Sequence, residues 1–349
     1  MGILEKIVKS KDVKGYILSD TEIIPDFIST GCAPLNVLFS GRLDGGVPIG
    51  KVSQIAAPSA LGKSFIGLKV AKNAQKKGLE VLLLDTEYAF DYSFSDNVGV
   101  DRDKLLVIQN NRIETAQAQI ISTLDGLTAE ERAKLIIIID SWGGLVTSKS
   151  YGDAVDGKDV VDMTAAKKKN AFARLLTGMG TTVFIVNQTY ETMDQYNPLI
   201  PGGGKGVYFA SSSIVMATSK ARDKDAQDIV GAIVTAKVLK GRFAKEHSKL
   251  KYMIKHDGGL HPVAGIEDDL FEMEFITKPV QGWYSRNFAK LGMEGEDKKW
   301  RLKEMIENWR EFYGPMLKNK DVLLAFEKKF TFTHNAIFDE GDVFEEDTE

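Results

Sequence analysis

Short apolar runs and longer amphipathic stretches alternate through the middle of this chain. "KVSQIAA" (51–57), "LEVLLLD" (79–85), "AKLIIIID" (133–140) and "TTVFIVNQ" (181–188) are dense in Val, Ile and Leu. Between them, "SFIGLKVAKNAQKKG" (64–78), "ETAQAQIISTLDGL" (114–127) and "VVDMTAAKKKNAFARLLTGMG" (160–180) space their apolar residues at helical intervals. Continuous apolar runs suit strands buried on both faces, and the spaced ones suit helices that cover them. The pattern predicts an α/β fold with a central, mostly parallel sheet, its first strand at about Val52 to Ala56. From about Ala210 the strands crowd together in "SSIVMATSK", "GAIVTAKVLKGR" and "LKYMIKHDGG", which predicts antiparallel or mixed additions at one sheet edge.

The flanks read differently. Ile3, Leu4, Ile7 and Val8 form the apolar stripe of a short N-terminal helix, followed by a connector. "STGCAPLNVLFSGRLDGGVPIG" (29–50) is punctuated by Gly and Pro and reads as an irregular lead-in. "SKSYGDAVDGKD" (148–159) and "TYETMDQYNPLIPGGGKG" (189–206) read as loops leaving strand ends. Residues from about 283 onward read as a small helical appendage in which Trp300 and Trp309 pack inward. The expected division is an arm at 1–30, a core at 31–282, an appendage at 283–338 and an acidic tail at 339–349.

Composition narrows the class. At 349 residues, 43% hydrophobic and 27% charged, the chain is long enough for one large core with appendages. The longest apolar run, "LIIIID", is far too short to cross a bilayer, so no membrane partner is expected. The N-terminus shows no secretory leader, and the single cysteine, Cys32, cannot frame a fold, so a cytoplasmic setting is expected. The histidines show no zinc spacing. Net charge is −4, but the tail "DEGDVFEEDTE" alone carries −7, which leaves the first 338 residues at +3. An acidic tail on a mildly basic body suits a protein whose hold on a polyanion needs restraint; it equally suits a solubilising end.

The chemistry concentrates at the predicted strand ends. "AAPSALGKS" (56–64) approaches the phosphate-loop pattern G-x-x-x-x-G-K-[ST], with Ala57 in the first glycine position. Ala57, Pro58, Ser59, Ala60, Leu61 and Gly62 would wrap phosphates with backbone N–H groups, Lys63 would reach the β/γ-phosphates, and Ser64 would hold Mg²⁺. A small side chain at Ala57 is compatible with this if its φ stays negative. Asp140 ends a strand where a Walker-B carboxylate completes the Mg²⁺ shell, through water. Glu87, just past another strand, can activate the attacking water, and Asp85 competes for that role by position. Gln188 can hydrogen-bond a γ-phosphate and report its loss to the loop that follows. Lys205, Tyr190 and Tyr196 in that loop, and Lys167 and Arg174 on the preceding helix, offer cations and aromatic faces for single-stranded nucleic acid. Lys168 and Lys169 read as a solvated helix face.

The ordered set "LLLDTEYAF", "IIIIDSWGGL", "DMTAAKKKNAFARLL", "VNQTYET", "GGGKGVYFAS" and "VLKGRFAKEHSK" resembles the RecA family, and most closely its UvsX-type recombinases of tailed phages, over roughly residues 28–290. The resemblance implies a RecA-like P-loop ATPase that forms helical filaments on single-stranded DNA, with ATP and Mg²⁺ at subunit interfaces, and drives pairing with double-stranded DNA and strand exchange. By position it makes Lys63, Ser64 and Asp140 the Walker pair and acid, Glu87 the catalytic glutamate and Gln188 the γ-phosphate sensor. It makes Phe94 the aromatic against adenine, and Lys240 and Arg242 the cations that reach a neighbouring subunit's ATP. Lys167, Arg174, Tyr190, Gly203, Gly204 and Lys205 fall in its DNA-facing elements. Its N-terminal arm docks on the next subunit and its acidic tail restrains DNA access. A single-strand-binding protein and a loading mediator are the further partners it implies, with the host cytoplasm as location if the chain is phage-encoded. A ring-forming helicase or another oligomeric P-loop ATPase on the same fold is the alternative.

Overall fold

The structure is a computed structural model that describes residues 25–158, 162–193, 199–225 and 228–332, with backbone alone at 224, 225, 228 and 229. The expected N-terminal helix, Tyr196 and the acidic tail lie outside the described residues. Strands β1 (Phe27–Ile28) and β2 (Val47–Pro48) pair with each other ahead of the main sheet. The main sheet holds β3 (Val52–Ala57), β4 (Glu80–Asp85), β5 (Leu105–Gln109), β6 (Leu135–Asp140), β7 (Thr182–Glu191) and β8 (Leu199–Pro201). It continues with β9 (Ser213–Asp225), β10 (Asp228–Gly241), β11 (Lys249–Lys255) and β12 (Gly259–Leu260). A separate hairpin pairs β13 (Ile276–Val280) with β14 (Trp283–Arg286).

The order across the main sheet is β12-β11-β10-β9-β3-β7-β6-β4-β5, with β8 folded back on β7. Strands β9, β3, β7, β6, β4 and β5 run parallel, and β10 to β12 continue antiparallel at the β9 edge. Alternation along each parallel strand sorts the side chains into two cores. Leu83, Ile136, Ile138, Phe184 and Val186 face a core with the helices Ala33–Ser40 and Lys63–Lys76. Leu82, Leu84, Ile137, Ile139 and Ile185 face another with the helices Ile113–Asp125 and Ala165–Gly178. The C-terminal helices share the first core through Phe312, Tyr313, Met316, Val322, Phe326 and Phe330. Trp300 is buried there and Trp309 packs against it half-buried. An Arg286–Asp297 pair at 2.7 Å, nearly out of solvent, closes this end, and Trp300 Nε1 also donates to Asp297.

Several segments differ from their sequence pattern, among them 189–206, read as a loop, which carries the end of β7, β8 and the start of the helix Gly204–Ala210. The lead-in contains a helix, Ala33–Ser40, started by Pro34 in its first turn and ended by Gly41 in the left-handed region. All eight of its residues are buried, so it carries no amphipathic period to read. The strand β5, "LLVIQ", is a half-exposed sheet edge without a strong pattern. The polar stretch after Asp140 holds a helix, Ser148–Val155, whose first turn is capped by Thr147 accepting from the Ser150 amide. Within the expected helical appendage, the chain around Met305 breaks at Asn308 into two short helices, Leu302–Glu307 and Trp309–Phe312.

Candidate active site

Register collects the site. Ala57 of β3 pairs with Gln188 of β7, Asp140 of β6 pairs with Val186 of β7, and Asp85 of β4 pairs with Asp140. The carboxyl ends of these four neighbouring strands therefore stand together, where open α/β sheets bind ligands.

The phosphate loop leaves β3 and opens the helix Lys63–Lys76. Its turn is made by positive φ at Ala60 (59°) and Gly62 (70°), while Ala57, fully buried at the strand end, is not among the positive-φ residues. The position that lacks glycine thus needs none. The left-handed backbone sits instead on Ala60, where it costs roughly 1–2 kcal/mol. Free amides at the start of the helix point out of this turn and suit an anion. Lys63 Nζ donates to the Pro58 carbonyl at 2.8 Å. Burial lowers its pKa, against the pull of Asp140 and Glu87.

The acids divide the work. Asp85 is buried and accepts from the amides of Glu87, Ala89 and Phe90 and from Gln109 Nε2, so it holds the 86–90 turn. Glu87 is exposed at the cavity wall. Its Oε1 accepts from Ser141 Oγ at 2.6 Å and from Gln188 Nε2 at 3.1 Å. Asp140 has its pKa pushed up to about 6, first by burial and also by Glu87 and Asp85; the Ser64 hydroxyl bonded to it and Lys63 act the other way. A half-buried carboxylate with the Ser64 hydroxyl bonded to it fits a divalent cation, although no cluster of three acids stands ready for one among the described residues. Phe94 lines the same cavity as Ser64, Glu87 and Asp140, on a helix (Tyr92–Val98) capped by Asp91.

Gln188 lies within β7, which runs three residues further and turns back as β8. Asn187 closes the base of this hairpin: its Nδ2 donates to the Gly202 carbonyl and its Oδ1 accepts from the Gln188 amide. Tyr190 is half-exposed, Gly203 and Gly204 have φ of 84° and 77°, and Lys205 is exposed at the start of the helix Gly204–Ala210. Lys167 is exposed on the neighbouring helix. Lys168 and Lys169 are not a solvated face. Both are half-buried; Lys168 pairs with Glu114, and Lys169 Nζ donates to the Trp142 carbonyl at 3.2 Å, because the helix packs its flank against the β6 turn.

Lys240 and Arg242 lie elsewhere. Gly241 pairs with Ser213, which pairs with Ser53, so both cations sit at the start of β3, while Lys63 follows its end. The six residues of β3 put about 17–20 Å between them. Lys240 Nζ donates to the Tyr208 and Phe209 carbonyls, and Arg242 lines a hollow with Lys51, Arg174 and the exposed Phe209. Arg174 therefore shares this hollow with Arg242 and with Gly206, the residue after Lys205.

Sequence reasoning missed three contributors. Ser141 donates to Glu87; Thr86 Oγ1 donates to the Ser141 carbonyl and accepts from its amide, fixing that serine. Trp142 is fully buried and stacks on Phe172. The only signal for them was adjacency to Glu87 and Asp140.

A phosphate loop opening the helix after a parallel strand, with carboxylates at the ends of the next strands, defines a P-loop nucleotide-binding protein. The family model described as RecA N-terminal domain matches residues 8–261, and the one described as the C-terminal domain of the bacteriophage T4 recombination and repair protein matches residues 268–326. The chain belongs to the RecA family. It is 31% identical over 314 residues to the "Recombination and repair protein" of Enterobacteria phage T4, covering 87% of this chain and 79% of that one. It is 32% identical over 298 residues to "Protein RecA" of a Nitratiruptor species, covering 83% of each.

Proposed function

We propose that this protein is an ATP-dependent DNA recombinase that assembles head to tail on single-stranded DNA, hydrolyses ATP between its subunits and pairs the bound strand with a homologous duplex. One observation carries this reading: Lys63, Glu87 and Asp140 stand at one end of the sheet, and Lys240 and Arg242 at the other. A single chain holds half of a catalytic site at each end. Only a second copy brings unlike halves together, and such a heterologous contact repeats into an open helix.

In this reading Lys63 leaves the Pro58 carbonyl for the β/γ-phosphates, and Phe94 stacks on adenine. Ser64 and Asp140 would hold Mg²⁺, which would neutralise phosphate charge. Glu87, oriented by Ser141, accepts the proton of the attacking water. Lys240 and Arg242 from the adjoining copy stabilise charge developing on the γ-phosphate, which makes turnover depend on assembly. Gln188 exchanges Glu87 for the γ-phosphate and draws the β7–β8 hairpin with it. Lys167, Arg174 and Lys205 contact DNA phosphates, while Tyr190 and the Gly203–Gly204 backbone meet the bases and strand. The domain division read from the sequence belongs to this reading, with the β13–β14 hairpin crossing the 282/283 boundary. So do a single-strand-binding protein and a loader as partners, in the cytoplasm of an infected host. The test is a strand-exchange assay with and without ATP, imaged by electron microscopy. Helical filaments and ATP-dependent exchange are expected; closed rings alone without exchange refute the reading.

A further inference from the structure

The glycine-rich segment 202–206 rests on three side chains. A Cβ at Gly202 would come within 2.4 Å of the Tyr190 ring, one at Gly203 within 2.2 Å of Trp142 Cδ1, and one at Gly206 within 2.0 Å of Asn170 Oδ1. Two of the atoms under this segment are buried without a hydrogen-bond partner: the donor Trp142 Nε1 and the acceptor Asn170 Oδ1. Native interiors rarely leave either kind of group unpaired, because each has lost its water without gaining a partner. Here a donor and an acceptor face one backbone stretch, and that stretch has its own N–H and C=O groups to offer.

Trp142 also touches the nucleotide side. It follows Ser141, whose hydroxyl holds Glu87. Its amide donates to the Val186 carbonyl, two residues before Gln188, and its carbonyl accepts from Lys169. Its ring lies flat on Phe172, with centroids 5.5 Å apart, so the indole is fixed while its Nε1–H edge faces Gly203.

We propose that Trp142 is a positioning residue that couples the Glu87–Gln188 pair to the glycine segment. When Gln188 moves the hairpin, residues 202–206 shift across the indole edge and take up the Trp142 Nε1–H and the Asn170 oxygen, which holds the segment in its DNA-bound placement. This rests on the recombinase reading above. It assigns Trp142 and Asn170 a role that their burial alone does not require.

Trp142→Phe keeps an aromatic ring against Phe172 and deletes the N–H. The first measurement is the ratio of ATP turnover with saturating poly(dT) to turnover without it. Loss of one net hydrogen bond in the DNA-bound placement lowers this ratio about fivefold. Asn170→Ala, which removes the acceptor together with the rest of the carboxamide, lowers it in the same direction and serves if Trp142→Phe fails to fold. The second measurement is the ultraviolet resonance Raman difference between the wild-type protein and Trp142→Phe, which isolates the Trp142 indole. With a slowly hydrolysed ATP analogue, adding poly(dT) moves this signal from an unpaired to a hydrogen-bonded N–H. Unchanged ratios in both variants, or an indole signal that poly(dT) does not move, overturn the proposal. A wild-type protein that poly(dT) does not stimulate overturns the recombinase reading as well, and so separates the two failures.

Discussion

Gln188 Nε2 donates to Glu87 Oε1 at 3.1 Å, so the amide at the root of the β7–β8 hairpin is bonded to the carboxylate beside the phosphate loop. The two residues are far apart in sequence and are joined because β7 carries its residues past the level of Asp140. Replacing Glu87 by Gln removes the base and keeps its shape. ATP turnover is expected to fall about 10²–10⁴-fold with ATP affinity nearly unchanged. Gln188→Ala leaves the base in place and cuts the connection to the hairpin. It is expected to retain most DNA-free turnover and to lose stimulation by single-stranded DNA. Steady-state hydrolysis with and without an oligonucleotide separates these outcomes.

Asp140 gives a pH signature. Its folded pKa, about 6, lies above the ordinary 3.8, so the folded protein favours the protonated acid. Stability from this group is fully present below 3.8 and is lost as pH rises through 6. At pH 7, without nucleotide or metal, the charged carboxylate therefore weakens the fold, and Asp140→Asn is expected to stabilise it by about 1–3 kcal/mol. Denaturant unfolding should show this gain shrinking as pH falls from 7 towards 4, while the variant loses Mg²⁺-dependent turnover.

The phosphate loop makes a paired prediction. Ala60 holds a φ of 59° and Ala57 ends a buried strand. Ala60→Gly relieves the left-handed backbone and is expected to stabilise the protein by about 0.5–1 kcal/mol. Ala57→Gly, which restores the usual loop pattern, is expected to destabilise it by a similar amount, since glycine is costly within a strand. Thermal melts of the two variants decide the signs.

How much of this was legible follows from where each signal lives. The phosphate loop, Asp140 and Gln188 are local: an apolar run ends and the functional residue comes next, so periodicity finds them. Asp85 and Glu87 sit two apart at one strand end, and only the three amides and Gln109 on Asp85 tell them apart. Ser141 and Thr86 matter through a contact between neighbouring strands, which the chain order does not display. The helix Ala33–Ser40 is buried all round and so has no polar face to mark it. The family resemblance implies that Lys240 and Arg242 reach a neighbour's nucleotide; their distance from Lys63 was not legible, because it depends on β9 and β10 pairing back to the start of β3.

That separation is the central claim, and mixing two inactive variants tests it. Lys63→Ala spoils the phosphate-loop half of every site it contributes, and Arg242→Ala spoils the cation half. Each is expected to show almost no DNA-dependent hydrolysis alone. In an equal mixture on single-stranded DNA, roughly one interface in four joins an intact phosphate loop to an intact Arg242, because the contact is head to tail. The mixture should recover about a quarter of wild-type turnover. A mixture no more active than either variant alone would contradict a site completed between subunits.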